Sequence, residues 1–121
     1  LPRLVEFAEN NEFHTTAVKE YLLEKFKDYD LDSYSSLVLG CTHFNYFKDS
    51  FRDILPEQVK FVDGNEGTIR HLMKELEIEQ SNERKNQKIS YYYSGEKVES
   101  KEELKQIENY LKRLDLMIKI N

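Results

Sequence analysis

The fold of this chain turns on Ser36-Leu37-Val38-Leu39-Gly40-Cys41-Thr42-His43. The first five residues form a short apolar run ending in glycine, the pattern of a strand buried on both faces of a parallel sheet. Cys41-Thr42-His43 follows directly, ahead of a helix expected over about 46–55. There Phe47, Phe51 and Leu55 share one face, and Pro56 stops the helix. In open α/β sheets ligands bind outside the carboxyl ends of strands, where loops and helix N-termini meet. The free N–H groups of a helix N-terminus favour a carboxylate, and favour a thiolate over a thiol. Position 41 therefore suits a cysteine that exchanges protons beside an anionic substrate, with a buried structural cysteine as the alternative. His43 either orients or protonates a group near Cys41 or caps the following helix. A cysteine–histidine dyad needs thiol and imidazole to meet in space, and residues two apart across a turn often diverge. One Cys and one His lack the remaining ligands of any familiar metal site.

Outward from this stretch the apolar periodicity alternates. Val18, Leu22 and Phe26, with Tyr21, predict an amphipathic helix over His14–Tyr29, followed by a polar connector over Asp30–Ser35. Val59–Val62 reads as the next strand, and Ile69, Leu72, Met73 and Leu76 predict a helix over Glu66–Leu76. The charged stretch from Glu77 to Lys88 is a surface loop or the tail of that helix. Ile89–Tyr93 resumes a β pattern through three tyrosines. Ser100 with Glu103 forms a capping box that opens a helix with Leu104, Ile107, Leu111 and Leu114 inward. Leu116, Ile118 and Ile120 alternate, so a terminal strand is expected. The order helix, strand, helix, strand, helix is that of an α/β layer architecture. The expected fold class is an incomplete, doubly wound α/β fold with a parallel sheet and Cys41 at the carboxyl end of a strand.

Composition narrows the function. At 121 residues the chain has the size of one domain. With 39% hydrophobic and 34% charged residues, it is too apolar for a disordered chain and not apolar enough for a membrane protein. Its apolar runs are too short to span a bilayer. A net charge of −5 argues against a general nucleic-acid binder but leaves room for a local cationic pocket. The lone Cys41 rules out an intrachain disulfide and fits a reducing compartment. No signal peptide or lipidation motif is visible, so a cytoplasmic location is expected. The chain opens on Leu1-Pro2-Arg3 without a methionine, so a fragment and a processed chain both remain open. His14 and His71 lie on helical patterns and read as ordinary surface residues. Gly64-Asn65-Glu66-Gly67-Thr68 lacks the lysine and spacing of a phosphate loop and reads as a turn and helix start.

Leu37-Val38-Leu39-Gly40-Cys41-Thr42-His43-Phe44 closely resembles the second cysteine motif of the aspartate/glutamate racemase family, in the form that glutamate racemases carry. Leu4-Val5-Glu6 resembles the motif before that cysteine, which ends in a glutamate of the catalytic site. Phe61-Val62-Asp63-Gly64 is similar to the segment after it. Tyr91-Tyr92-Tyr93-Ser94-Gly95 resembles the aromatic strand and turn near the family's C-terminus, with Ser in place of Thr. The resemblance implies interconversion of L-glutamate and D-glutamate without a cofactor, by two cysteines acting on opposite faces of the α-carbon. It further implies a supply of D-glutamate for peptidoglycan synthesis. On matching positions, Cys41 would be the acid/base on the L-glutamate side. Thr42 would bind the substrate carboxylate, His43 would assist Cys41, and Glu6 would tune the site.

The family's Asp-Ser-Gly motif and its first cysteine motif, Cys-Asn-Thr, do not occur here. The resemblance thus makes this chain the C-terminal part of a two-domain enzyme. Residues 1–63 would end the second domain, and 64–121 would return to pack with the first. The implied partner is the N-terminal part of the same enzyme, and a homodimer is compatible with the resemblance; neither nucleic acid nor a membrane is implied. A racemase of aspartate or a related amino acid and a non-catalytic α/β binding module with a structural Cys41 are the alternatives.

Overall fold

A computed structural model of the chain describes residues 1–78 and 88–120. In order these form α1 (Arg3–Glu9), α2 (Thr16–Phe26), β1 (Ser36–Val38), a 3₁₀ segment (Thr42–Phe47) that runs into α3 (Lys48–Arg52), and β2 (Lys60–Val62). Then come α4 (Asn65–Glu75), β3 (Tyr92–Tyr93), β4 (Glu96–Lys97) and α5 (Lys101–Met117). The chain divides into two compact units, one of Leu1–Gly64 with Tyr110–Asn121, the other of Asn65–Asn109. The architecture is mixed helix and strand, with a small parallel sheet in the first unit.

That sheet pairs β1 with β2 in parallel, Ser36 opposite Lys60, Leu37 opposite Phe61, and Val38 opposite Val62. Backbone bonds extend the ladder at both ends, from Lys60 N–H to the Ser35 carbonyl (3.0 Å) and from Leu39 N–H to the Val62 carbonyl (2.8 Å). A parallel pair needs a crossover connection, supplied here by the 3₁₀ segment and α3. Leu37 and Phe61 face the core, where Leu4, Phe7, Val18, Leu22, Phe47, Phe51 and Val59 are buried. The expectation of a strand covered on both faces is corrected. Val38 and Val62 point to the other face and are 68% and 47% exposed, because the helices packed on this pair cover one side only.

Local chemistry accounts for the element boundaries. Thr15 opens α2, its hydroxyl accepting the Val18 N–H at 3.3 Å. Asn11, at φ 58°, closes α1, with Glu12 N–H on the Phe7 carbonyl and Asn11 N–H on the Ala8 carbonyl. The helix expected over 46–55 starts earlier and in a tighter form. Phe44 N–H bonds the Cys41 carbonyl at 3.0 Å, so the chain winds as 3₁₀ through Phe47 before α3 begins. The apolar stripe Phe47, Phe51 and Leu55 remains buried through this change.

In the second unit, α4 ends at a left-handed Glu77 (φ 52°), with Ile78 N–H on the Met73 carbonyl. The β pattern expected over Ile89–Tyr93 narrows to Tyr92–Tyr93. It turns at Ser94-Gly95, both with positive φ, into the antiparallel partner β4. One half of the expected capping box forms, Glu103 N–H donating to Ser100 Oγ at 3.4 Å. Residues 79–87 of the charged stretch lie outside the described residues. The expectation of Leu104, Ile107, Leu111 and Leu114 facing inward is corrected in part: Leu104 and Leu111 are exposed, and the other two half-buried.

The expected terminal strand is also corrected. Leu116 and Met117 end α5, and Ile118 N–H bonds the Leu114 carbonyl at 2.9 Å. No Gly or Pro interrupts the helix between Ser100 and Met117, so winding continues past three alternating residues. The end of α5 belongs to the first unit, where Arg113 carries the tie. Its Nε donates to the Tyr46 carbonyl (2.9 Å), its Nη2 pairs with Asp49 Oδ1 (2.6 Å), and the guanidinium lies over the Phe13 ring.

Three substitutions in the 121-residue chain separate these contributions by urea denaturation. Phe51→Ala, at a fully buried ring, is expected to cost about 3–5 kcal/mol. Arg113→Met removes the guanidinium bonds to the Asp49 carboxylate and the Tyr46 carbonyl and is expected to cost about 3 kcal/mol. Leu23→Ala, on the half-exposed side of α2, is expected to cost less than about 1 kcal/mol.

Candidate active site

Because β1 and β2 run in parallel, their carboxyl ends lie at one edge of the sheet. Gly40-Cys41 leaves that edge from β1, and Asp63-Gly64 leaves it from β2. Cys41 is extended (φ −141°, ψ 138°) and stands at the N-cap of the 3₁₀ segment, but its side chain caps no backbone N–H. The thiol is half-buried and turned to the imidazole instead, with Sγ 3.7 Å from His43 Nδ1. The tight winding of Thr42–Phe47 brings these two side chains together across one intervening residue. His43 is itself half-buried, and its ring meets Tyr46 edge to face at 6.3 Å. With Nδ1 bare the imidazole accepts from the thiol; with Nδ1 protonated it donates to a thiolate. The pair can therefore pass one proton back and forth.

Thr42 has an exposed side chain, and its carbonyl accepts from Asn45 Nδ2 at 3.4 Å. Asn45 is buried beneath the loop, and its Oδ1 has no hydrogen-bond partner among the described residues. Glu6 is exposed on α1, which packs against the 3₁₀ segment. Among the described residues no hydrogen bond joins Glu6 to Cys41, Thr42 or His43. The structure thus brings Cys41 and His43 into contact and leaves Thr42 and Glu6 apart from that contact.

A pair that the sequence reading did not single out lies at the same edge. Lys48 Nζ donates to Asp63 Oδ2 at 3.2 Å, tying the start of α3 to the end of β2. Its signal was Asp63 itself, an acidic residue directly after an apolar strand, at the end where parallel strands converge. His14, read as a surface residue, is exposed but not idle: its Nε2 lies 2.9 Å from Asp53 Oδ2. An apolar cavity of about 230 Å³ lined by Phe26, Tyr29, Leu37 and Val59 opens at the other, amino-terminal ends of the strands, away from Cys41. Among the described residues no His, Cys, Asp and Glu side chains group as metal ligands, and no helix is long and apolar enough to cross a membrane.

The chain matches no family model, and no solved structure matches it significantly. Curated relatives are nevertheless clear. It is 53% identical over 120 residues to the glutamate racemase of Campylobacter curvus, covering 99% of this chain and 45% of that protein. Identity to the glutamate racemase of Lachnospira eligens is 44% over 124 residues, covering 99% of this chain and 47% of that protein. Identity to glutamate racemase 2 of Bacillus subtilis is 35% over 115 residues, covering 95% of this chain and 43% of that protein. The chain thus spans less than half the length of these relatives. Identities of this size run along nearly all of its residues, so the chain is similar throughout its described length to part of proteins named glutamate racemase.

Proposed function

We propose that this chain is the C-terminal part of a racemase that interconverts L-glutamate and D-glutamate, and that it carries one half of a two-cysteine site. The observation that carries the reading is the Cys41–His43 contact at the carboxyl edge of a parallel sheet, in a chain about half identical to proteins named glutamate racemase. Cys41 as thiolate takes the α-proton of L-glutamate. The S–H bond forms as the C–H bond breaks, and the electron pair is left on the α-carbon and its carboxylate. A thiol on the opposite face, from the part of the enzyme outside this chain, returns a proton and completes the inversion. In the reverse direction the two cysteines exchange roles. His43 holds the Cys41 proton between turnovers, Thr42 binds the substrate carboxylate, and Glu6 tunes the site from α1. No cofactor enters this scheme, so the carbanion is stabilised by fixed hydrogen-bond donors.

The same reading gives the remainder of the enzyme a place. Residues 1–63 end the second domain of a doubly wound sheet, and 64–121 return to the first. The bare sheet face at Val38 and Val62 supports this, as do exposed Ile69 and Leu72 on α4, Leu76 just past its end, and exposed Leu111 on α5. A cytoplasmic enzyme supplying D-glutamate for peptidoglycan synthesis is the matching physiological role.

Three outcomes test this reading. In the full-length enzyme, Cys41→Ala abolishes racemisation and the exchange of the α-proton of L-glutamate with solvent, followed by NMR in D₂O. Cys41→Ser is nearly as damaging, because a hydroxyl supplies little anion at neutral pH. Retention of either activity by Cys41→Ala sinks the proposal. His43→Asn lowers kcat more in the L-to-D direction than in the reverse, with KM values adjusting so that the ratio of the two kcat/KM values stays at the racemisation equilibrium; circular dichroism assays in both directions read this. The isolated 121-residue chain binds a hydrophobic dye and shows no racemisation, and racemisation by the pure fragment would refute the half-site.

A further inference from the structure

The segment that carries Cys41 and His43 is fastened at both ends to two consecutive residues. Ahead of it, Leu39 N–H donates to the Val62 carbonyl at 2.8 Å, the last bond of the parallel ladder. Behind it, Lys48 Nζ donates to the Asp63 carboxylate at 3.2 Å. The Lys48 and Asp63 side chains are only 14% and 19% exposed, so solvent screens the pair weakly. Between these fastenings the backbone is 3₁₀, whose hydrogen bonds are poorer than those of an α-helix. Such a segment keeps one geometry when its ends are held.

We infer that Lys48 and Asp63 are positioning residues, clamping the far end of the Cys41–His43 segment to the end of β2 and so setting the separation of thiol and imidazole. The inference rests on the acid/base reading of Cys41 given above. The 3.7 Å between Sγ and Nδ1 is near the outer reach of a hydrogen bond to sulfur, so a shift of about 1 Å at this segment breaks the contact. The strand bond at Leu39 holds the near end; at the far end the ion pair acts beside the burial of Phe47 and Phe51 and the bonds of Arg113 to the Tyr46 carbonyl and Asp49.

The test uses the full-length enzyme with Asp63→Asn and Lys48→Met, which keep side-chain size and remove one charge each, and with Lys48→Arg, which keeps charge and reach. Both kcat values and KM are measured, and alkylation of Cys41 by iodoacetamide is followed across pH by mass on the Cys41 peptide. The expected result is a fall of about 10–100-fold in kcat for Asp63→Asn and Lys48→Met, with KM changed less than about 3-fold. A changed pH profile of Cys41 alkylation accompanies it, and Lys48→Arg restores both. Should either single variant fail to fold, the charge swap Lys48→Asp with Asp63→Lys takes its place, and it is expected to keep the unmodified alkylation profile. Lowered thermal stability with unchanged kcat and an unchanged alkylation profile overturns the clamp, as does a folded charge swap with an altered profile. An inactive unmodified enzyme would instead sink the racemase reading, since the alkylation profile reports on the clamp whether or not glutamate turns over.

Discussion

The parallel pairing of β1 with β2 is the constraint on which the rest of the first unit depends. An antiparallel pair closes with a tight turn, whereas a parallel pair must send the chain back along the sheet before the second strand begins. That return is what the 3₁₀ segment and α3 provide, and it places the chain leaving β1 beside the chain leaving β2. Cys41 and Asp63 owe their common edge to this alone, since 22 residues separate them along the chain. The helical return also supplies Phe47 and Phe51, the largest fully buried side chains of the core. One connection thus serves both stability and the site.

Burial on the return is one-sided. Leu37 and Phe61 meet the helices while Val38 and Val62 face outward, and parallel sheets in folded proteins are ordinarily covered on both faces. The second unit has a matching excess, with the apolar stripe of α4 exposed along its length. Hydrophobic stabilisation follows the apolar area removed from water, so these surfaces contribute little until something covers them. Polar ties compensate locally. Arg113 binds a backbone carbonyl, a carboxylate and an aromatic face at once, and by doing so holds the end of α5 to the start of α3.

The chemistry at the sheet edge is limited by the same arithmetic. One thiol beside one imidazole can take a proton from one side of a carbon centre and give it back to that side. On the proposed racemase reading, inversion needs a second acid/base across the substrate, and this chain holds a single cysteine. What the fold contributes is the pre-arrangement of that single thiol: half-buried, in reach of His43, and on a segment held at both ends.

Much of this was legible in the sequence, for a physical reason. Periodicity and glycine at position 40 mark β1; the spacing of Phe47, Phe51 and Leu55 marks the buried face of the return; Ser100 and Ser94-Gly95 mark a helix start and a turn. All of these are set by neighbours a few residues apart, whose preferences are local. The motif around Cys41 was likewise contiguous, and so was readable without a fold. Only the tertiary structure decided what depends on distant partners. The terminal strand became the end of α5, because three alternating apolar residues cannot outweigh an uninterrupted helix. The winding through Thr42–Phe47 turned His43 toward Cys41, which spacing by two leaves undetermined. Lys48 found Asp63 and Arg113 found Asp49 across 15 and 64 residues, where charge in the sequence marks a partner's type but never its address.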